Sequence, residues 1–347
     1  MGRLMGFRVA GTGSYVPERV VTNEDLAALG CDSDWIVRRT GILERRKAAD
    51  DQATSDLCYE ASLRCLAAAG KTAADVDLIL VATITPDHPT PSTACLLQER
   101  LGARAPAMDI GAACAGFMYA MVTAAQFIAS GNQRCVLVVG ADLMTRTADP
   151  DDKKTYPLFG DGAGAVLLVP DESAVEIADP SRDPQKTPPE APAAKGLLAY
   201  QLGSEGCGAE TLCIAAGGTR QAMTPEAYAR GGQFLRMDGR HVFKWAVRVF
   251  DESAKQVMKA ADVDAADLDL LILHQANHRI IDSAVSDLNV DADKVFVNLQ
   301  HYGNTSAASI PLVLDEAVRG GRIESGDLLL LCGFGAGLAW GTAVMRW

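Results

Sequence analysis

The 347-residue sequence predicts a layered α/β fold built from two copies of one unit, and three observations carry that prediction. First, "AADVDLILVAT" from Ala73 to Thr83 aligns without gaps on "AADLDLLILHQ" from Ala265 to Gln275, an offset of 192 residues. Second, that offset sets "EASLRCLAAAG" from Glu60 against "ESAKQVMKAAD" from Glu252 and "VLVV" at Val136 to Val139 against "LLLL" at Leu328 to Leu331, and it pairs Gly111, Cys114 and Ala115 with Gly303, Ser306 and Ala307. Third, each copy runs helix, strand, small-residue helix, strand, with strands apolar throughout, as strands buried on both faces are. A fixed register over four segments marks a duplication, and two copies make a two-lobed α/β molecule with a pseudo-twofold between halves.

The elements follow in chain order. "MGRLMGFRVAGTGSYVP" has Arg3 and then an apolar run broken by Arg8, so it lacks the apolar region and cleavage site of a secretory signal. Its Met-Gly start lacks the Ser or Thr that a myristoylation site needs. The stretch from Asp109 to Gln133, "DIGAACAGFMYAMVTAAQFIASGNQ", carries no fixed charge after Asp109. Gln126, Asn132 and its many small residues suit a helix surrounded by protein better than a lipid span. Leu328 to Met345, with Gly333, Gly335, Gly337 and Gly341, reads as two buried strands joined by a glycine turn. The prolines and charges of "DPSRDPQKTPPEAPAAKG" (Asp179 to Gly196) predict a surface loop or linker. The halves are therefore expected at residues 1–174 and 175–347, with an irregular insertion at about 179–235.

Composition narrows the function. A hydrophobic content of 48% supports a large core, and a net charge of -12 sets an opposing field against any nucleic-acid face. The nine cysteines form no C-x-x-C pair, which fits reduced thiols in a cytoplasmic protein. No metal-ligand spacing appears. "GTGSYV" lacks the third glycine of a dinucleotide fingerprint, and "GDGAGAVLLV" leads into a strand, so neither is a nucleotide motif.

Three residues carry chemistry. Cys114 opens "CAGFMYAMVTAAQF", where unpaired N–H groups and the helix dipole favour a thiolate and would lower its pKa, although a free cysteine is ordinarily buried and inert. His274 ends the apolar strand "LDLLIL", the place where α/β folds turn side chains into a crevice; a hydrogen-bonded core histidine is the competing reading. Asn304 in "YGNTSAAS" suits either a helix cap or an amide donor to an oxyanion. Equivalent loops meet near a pseudo-twofold axis, so Cys114 and Asn304 can face one pocket.

"GTGSYVP", "DIGAACAGFMYA", "LFGDGAGAVLL", "HQANHRII", "YGNTSAASIPL" and "GFGAGLAWG", spread over nearly the whole chain, closely resemble β-ketoacyl-acyl carrier protein synthase III, the initiating condensing enzyme of type II fatty acid synthesis. The resemblance implies a thiolase-like αβαβα fold, a homodimer, acyl-CoA as a substrate with no permanently bound cofactor, and malonyl-acyl carrier protein as the second substrate. It carries the catalytic triad over to Cys114, His274 and Asn304, and the backbone oxyanion hole to Cys114 and Ala336. Elongating relatives use a second histidine, and hydroxymethylglutaryl-CoA synthases a glutamate, so the asparagine points to the initiator. It further implies CoA contacts at Trp35, Arg39, Asn277 and Lys153, the last replacing an arginine that stacks better. In "RHVFKWAVR", Arg240, Lys244 and Arg248 are spaced four apart and line one helix face, a basic stripe that Asp251 and Glu252 would neutralise in the competing reading. The resemblance puts carrier-protein docking there, extended by Arg279, and the acyl pocket at Thr90, whose small side chain predicts a starter longer or more branched than acetyl. Competing readings are a secondary-metabolism condensing enzyme or acyltransferase of the same fold, and a catalytically idle acyl-binding paralogue.

Overall fold

The computed structural model describes residues 1–172 and 194–347. Its first half contains β1 (Gly2–Met5), β2 (Phe7–Tyr15), β3 (Arg19–Thr22), α1 (Ser33–Thr40), β4 (Glu44–Lys47), α2 (Thr54–Ala68), β5 (Leu78–Ala82), α3 (Thr93–Leu101), β6 (Ala107–Ile110), α4 (Gly116–Ala129), β7 (Val136–Leu143) and β8 (Asp161–Pro170). The second contains β9 (Gly196–Ser204), β10 (Leu212–Ile214), α5 (Pro225–Ala229), β11 (Leu235–Met237), α6 (Gly239–Ala261), β12 (Leu270–Leu273), α7 (His278–Leu288), α8 (Leu299–Tyr302), α9 (Ser309–Arg319), β13 (Leu328–Gly335) and β14 (Ala339–Arg346).

Two five-stranded sheets form, in the orders β2-β8-β7-β5-β6 and β1-β9-β14-β13-β12. Strand alternation sends residues to two different cores. Leu78, Leu80, Val136 and Val138 of one sheet and Leu270, Ile272, Leu329 and Leu331 of the other pack on α4 and α9, which make the central layer. Ile79, Val81, Leu137 and Val139 face outward onto α2 and α3, while Leu271, Leu273, Leu330 and Cys332 face outward onto α6 and α7. The layers therefore run helix, sheet, helix, sheet, helix, which is the thiolase-like arrangement. Uncharged α4 is enclosed between two sheets, and no helix among the described residues is long and apolar enough to cross a membrane.

Three details depart from the sequence reading. β1 joins the second sheet, pairing with β9, so the N-terminal strand crosses between halves. β9 lies inside the span expected to be irregular; it is a core strand, antiparallel to β14, with Leu197, Leu198 and Ala199 buried. The boundary expected after residue 174 and most of the proline-rich stretch fall outside the described residues. Residues 206–238 form short 3-10, helical and strand segments, with β10 and β11 paired only to each other.

The third departure is one of register. Asp77 N–H donates to Cys135 O at 2.8 Å and Asp269 N–H donates to Leu328 O at 2.9 Å. Asp77 and Asp269 are related by the expected offset of 192, but Cys135 and Leu328 are one residue further apart. The 3-10 turns Ala113–Ala115 and Ser306–Ala308, followed directly by α4 and α9, show the same slip. Ala113 at φ 47° matches Ser306 at φ 52°. Structurally, then, Cys114 corresponds to Ala307 and not to Ser306, because one extra residue enters the second half after β12.

Candidate active site

Cys114 sits in the 3-10 turn before α4, buried with 8% of its surface exposed. The turn packs on its pseudo-symmetric partner: a Cβ on Gly116 would lie 3.8 Å from the Ala307 Cβ. It also packs on the end of β13, where a Cβ on Gly335 would fall 2.8 Å from Cys114 N and 3.2 Å from its Sγ. Only glycine fits beside the thiol. In the other half, the position matching Gly335 is Asp142 on β7, whose buried carboxylate accepts the Ala307 N–H at 3.1 Å. At Cys114 the matching position, Gly335, offers no side chain to accept the N–H.

Burial pushes the Cys114 thiol up, to about 12, and the Asp142 charge adds to this; Ser306 and the residue's own N–H pull it down. This reverses the direction expected from a helix start. The helix dipole acts within one turn, whereas enclosure between two sheets removes the water that would solvate a thiolate. The Ser306 hydroxyl lies beside Cys114 and Asp142 without meeting either at full hydrogen-bond geometry.

His274 follows β12 directly, as the strand pattern predicts, and is 2% exposed. Its N–H donates to Cys332 O at 2.8 Å, its Nδ1 meets Ser309 Oγ at 2.6 Å, and its ring stands edge-on to Phe334 at 5.4 Å. Burial lowers its pKa to about 3, so the ring is neutral at ordinary pH. Phe334 immediately precedes Gly335, so the last residues of β13 touch both the imidazole and the thiol.

Asn304 is held from both backbone sides: its N–H donates to Leu158 O at 2.8 Å and its carbonyl accepts from Gly160 N at 3.1 Å. This sews the loop after α8 onto the front of the first half's "LFGDGAG". Gly160 has to be glycine, since a Cβ there would come within 2.1 Å of Tyr302 O. Asn304 Oδ1 accepts the Ser306 N–H at 2.8 Å, so the residue does cap locally. Among the described residues its Nδ2 makes no hydrogen bond.

The expected CoA residues gather around α1. Asp32 caps this helix through Trp35 N, and the Arg39 guanidinium lies 4.6 Å over the Trp35 ring. Asn277 caps α7 and donates to Arg39 O at 3.0 Å, so both ends of its amide serve the protein. Exposed Lys153 lies three residues before Tyr156, which packs against the cluster around Trp35 and Ile36. A cavity of about 820 Å³ lined by Val122, Gln126 and Tyr200 lies at the far end of α4 and holds none of these residues.

The expected basic stripe on α6 is shorter than its spacing suggests. Arg248 is bound by Glu205 at 2.8 and 2.9 Å and by Glu252 at 3.1 Å, so its charge is answered. Arg240 and Lys244 remain exposed, and Arg279 joins them by stacking 5.3 Å over Phe243. Thr90 is exposed on the loop before α3. Ser309, Phe334 and Asp142 went unnoticed in the sequence, and Gly335 was read only as part of a glycine-rich strand pair. Among the described residues no cluster of potential metal ligands occurs.

Comparison with known proteins gives the family of the chain. Residues 108–180 match the family model "3-Oxoacyl-[acyl-carrier-protein (ACP)] synthase III", and residues 258–347 match the model of its C-terminal part. The curated β-ketoacyl-[acyl-carrier-protein] synthase III of Rhodopirellula baltica is 70% identical over 347 residues, covering 100% of both chains. The crystal structure of 3-oxoacyl-[acyl-carrier-protein] synthase III from Aquifex aeolicus superposes with a TM-score of 0.85 at 39% identity, covering 99% of this chain and 100% of that one. A priming β-ketosynthase from the R1128 polyketide biosynthetic pathway gives 0.85 at 34% identity, covering 100% and 98%. The chain belongs to the 3-oxoacyl-[acyl-carrier-protein] synthase III family.

Proposed function

We propose that this chain condenses an acyl-CoA starter with malonyl-acyl carrier protein, releasing CO2 and giving a 3-oxoacyl-acyl carrier protein, with Cys114 as the acyl carrier. The observation that carries the reading is the set of donors around the pseudo-twofold: the Cys114 N–H beside Gly335, the Asn304 amide and the neutral His274 ring.

In the first half-reaction Cys114 sulfur bonds to the acyl carbonyl carbon and the bond to CoA sulfur breaks. The thiol proton leaves with CoA, consistent with a thiol that is protonated at rest. The oxyanion of the tetrahedral intermediate is assigned to the N–H groups of Cys114 and Ala336. In the second, malonyl-acyl carrier protein loses CO2 and the electron pair collects as an enolate. His274 and Asn304 donate hydrogen bonds to its oxygen, worth about 3 to 4 kcal/mol each in such settings. The enolate carbon then attacks acyl-Cys114, and the released thiolate takes a proton from solvent.

Trp35, Arg39, Asn277 and Lys153 form the proposed CoA entrance, and Arg240, Lys244 and Arg279 the carrier-protein landing. The homodimer is supported by β6, the edge strand of the first sheet, with Met108 39% exposed. Asp109 on β6 accepts Thr93 N and Ala94 N at 2.8 Å each, which ties the Thr90 loop to that edge and lets Thr90 line a partner's acyl pocket. Nine free cysteines fit a cytoplasmic, reducing setting. The test is to assay the half-reactions separately. Cys114→Ala should lose acyl transfer and keep malonyl decarboxylation, and His274→Ala should do the reverse; equal loss of both in two folded variants would contradict the assignment.

A further inference from the structure

The two halves carry one structural position in two chemical forms. His274 follows β12 as Ala82 ends β5, and Ser309 opens α9 as Gly116 opens α4. In the first half the pair is bare: a Cβ on Gly116 would stand 3.1 Å from the Ala82 Cβ. In the second half the same place holds an imidazole and a hydroxyl 2.6 Å apart, both buried, at 2% and 1% exposure. The fold closes with Ala and Gly there, so the polar pair is not needed to build it.

We propose that Ser309 is a positioning residue that holds His274 in its Nε2–H form by donating its hydroxyl proton to Nδ1. A neutral imidazole carries one proton, and the hydroxyl can bond to Nδ1 in either direction. Among the described residues the Ser309 hydroxyl meets only His274. If Ser309 accepted from Nδ1–H, its own buried proton would lack an acceptor, and the Nε2 lone pair would be the atom offered to the pocket. Donation by Ser309 avoids an orphaned buried donor and leaves Nε2–H as the free group. Phe334, edge-on with the ring planes at 78°, fixes the plane in which that N–H is offered. The first turn of α9 adds partial positive charge beside Nδ1, which disfavours a second proton on the ring.

The proposal rests on His274 serving as an enolate donor, and the experiment separates the two claims. Full-length enzyme labelled with [15N]histidine is examined at neutral pH as wild type, Ser309→Ala and Ser309→Thr, with His274→Ala to assign the resonances. Malonyl decarboxylation and acylation of Cys114 are measured on the same samples. Wild type should show a protonated Nε2 and an unprotonated Nδ1. Ser309→Ala should give a mixture of tautomers and a decarboxylation rate lower by about 10- to 100-fold, the usual cost of removing an orienting partner. Acylation should stay within about twofold, and Ser309→Thr should restore decarboxylation. A wild-type Nδ1–H tautomer would overturn the proposal, even if Ser309→Ala did not fold. So would unchanged decarboxylation in Ser309→Ala, or an equal fall in both half-reactions. Retained decarboxylation in His274→Ala would instead remove the reading beneath it.

Discussion

Asp142 and Gly335 occupy one position in the two halves, and they treat the N–H in front of them in opposite ways. Asp142 accepts the Ala307 N–H at 3.1 Å, whereas Gly335 has no side chain to cover the equivalent N–H of Cys114. The pseudo-twofold thus holds a filled and an open version of one donor site. A β-carbon at Gly335 would sit 2.8 Å from Cys114 N and 2.9 Å from its Cβ. Gly335→Ala should therefore slow acylation of Cys114 by about 100- to 1,000-fold, the scale of losing one oxyanion donor, with circular dichroism unchanged. Acylation at the wild-type rate would show that the opening has no role.

Alkaline stability should follow the buried thiols. Cys114 and Cys332 are both raised from 9.0 to about 12 by burial, so the native state keeps protons that the unfolded chain releases. Their contribution is complete below about pH 9 and is lost as pH rises toward 12, by roughly 1.4 kcal/mol per pH unit for each thiol. The urea midpoint should fall over that window, and Cys114→Ala should flatten the fall by one group. An unchanged slope would mean that the thiol ionises easily in the native state.

Acid stability tests His274 in the other direction. Its pKa is lowered from 6.5 to about 3, so below pH 6.5 the unfolded chain takes up a proton that the native state refuses. Stability from this group is full above about pH 6.5 and declines as pH falls toward 3. His274→Gln should reduce the acid-side decline of the urea midpoint, while leaving the alkaline side as it was. An equal decline in the variant would place the acid sensitivity elsewhere.

Carrier-protein docking should depend on Arg279 and Lys244 and hardly at all on Arg248. Arg279→Ala or Lys244→Ala should raise KM for malonyl-acyl carrier protein by roughly 3- to 10-fold, more at low salt than at high, as exposed charges in a steered encounter do. Arg248 is already bound by Glu205 and Glu252, so Arg248→Ala should leave that KM within about twofold. A larger effect at Arg248 would mean that docking breaks its ion pairs.

The duplication was legible because buried strands and the helix before them leave a repeated apolar pattern in the sequence. The one-residue slip was not, because the small-residue loops around Cys114 and Ser306 look alike in either register. His274 could be read from the end of "LDLLIL", since a polar residue there leaves the packed layer. Ser309 and Asp142 could not, as each matters through a partner far away in the chain, at His274 and Ala307. The Arg248–Glu205 ion pair was hidden for a related reason: helical spacing says which face a side chain occupies, and Glu205 reaches that face from another element. The thiol pKa was misjudged because a helix start is local, while burial is tertiary. β9 was hidden by the prolines before it, which argue against a core element up to the residue where the strand begins.

The most direct test of the central claim is the intact mass of the purified protein after brief incubation with acyl-CoAs graded from acetyl to dodecanoyl, with Cys114→Ala alongside. The account predicts a gain of one acyl group that is absent from the variant, and continued labelling beyond acetyl if Thr90 leaves the pocket open. An acyl group retained by Cys114→Ala, or no gain from any of these donors, would contradict it.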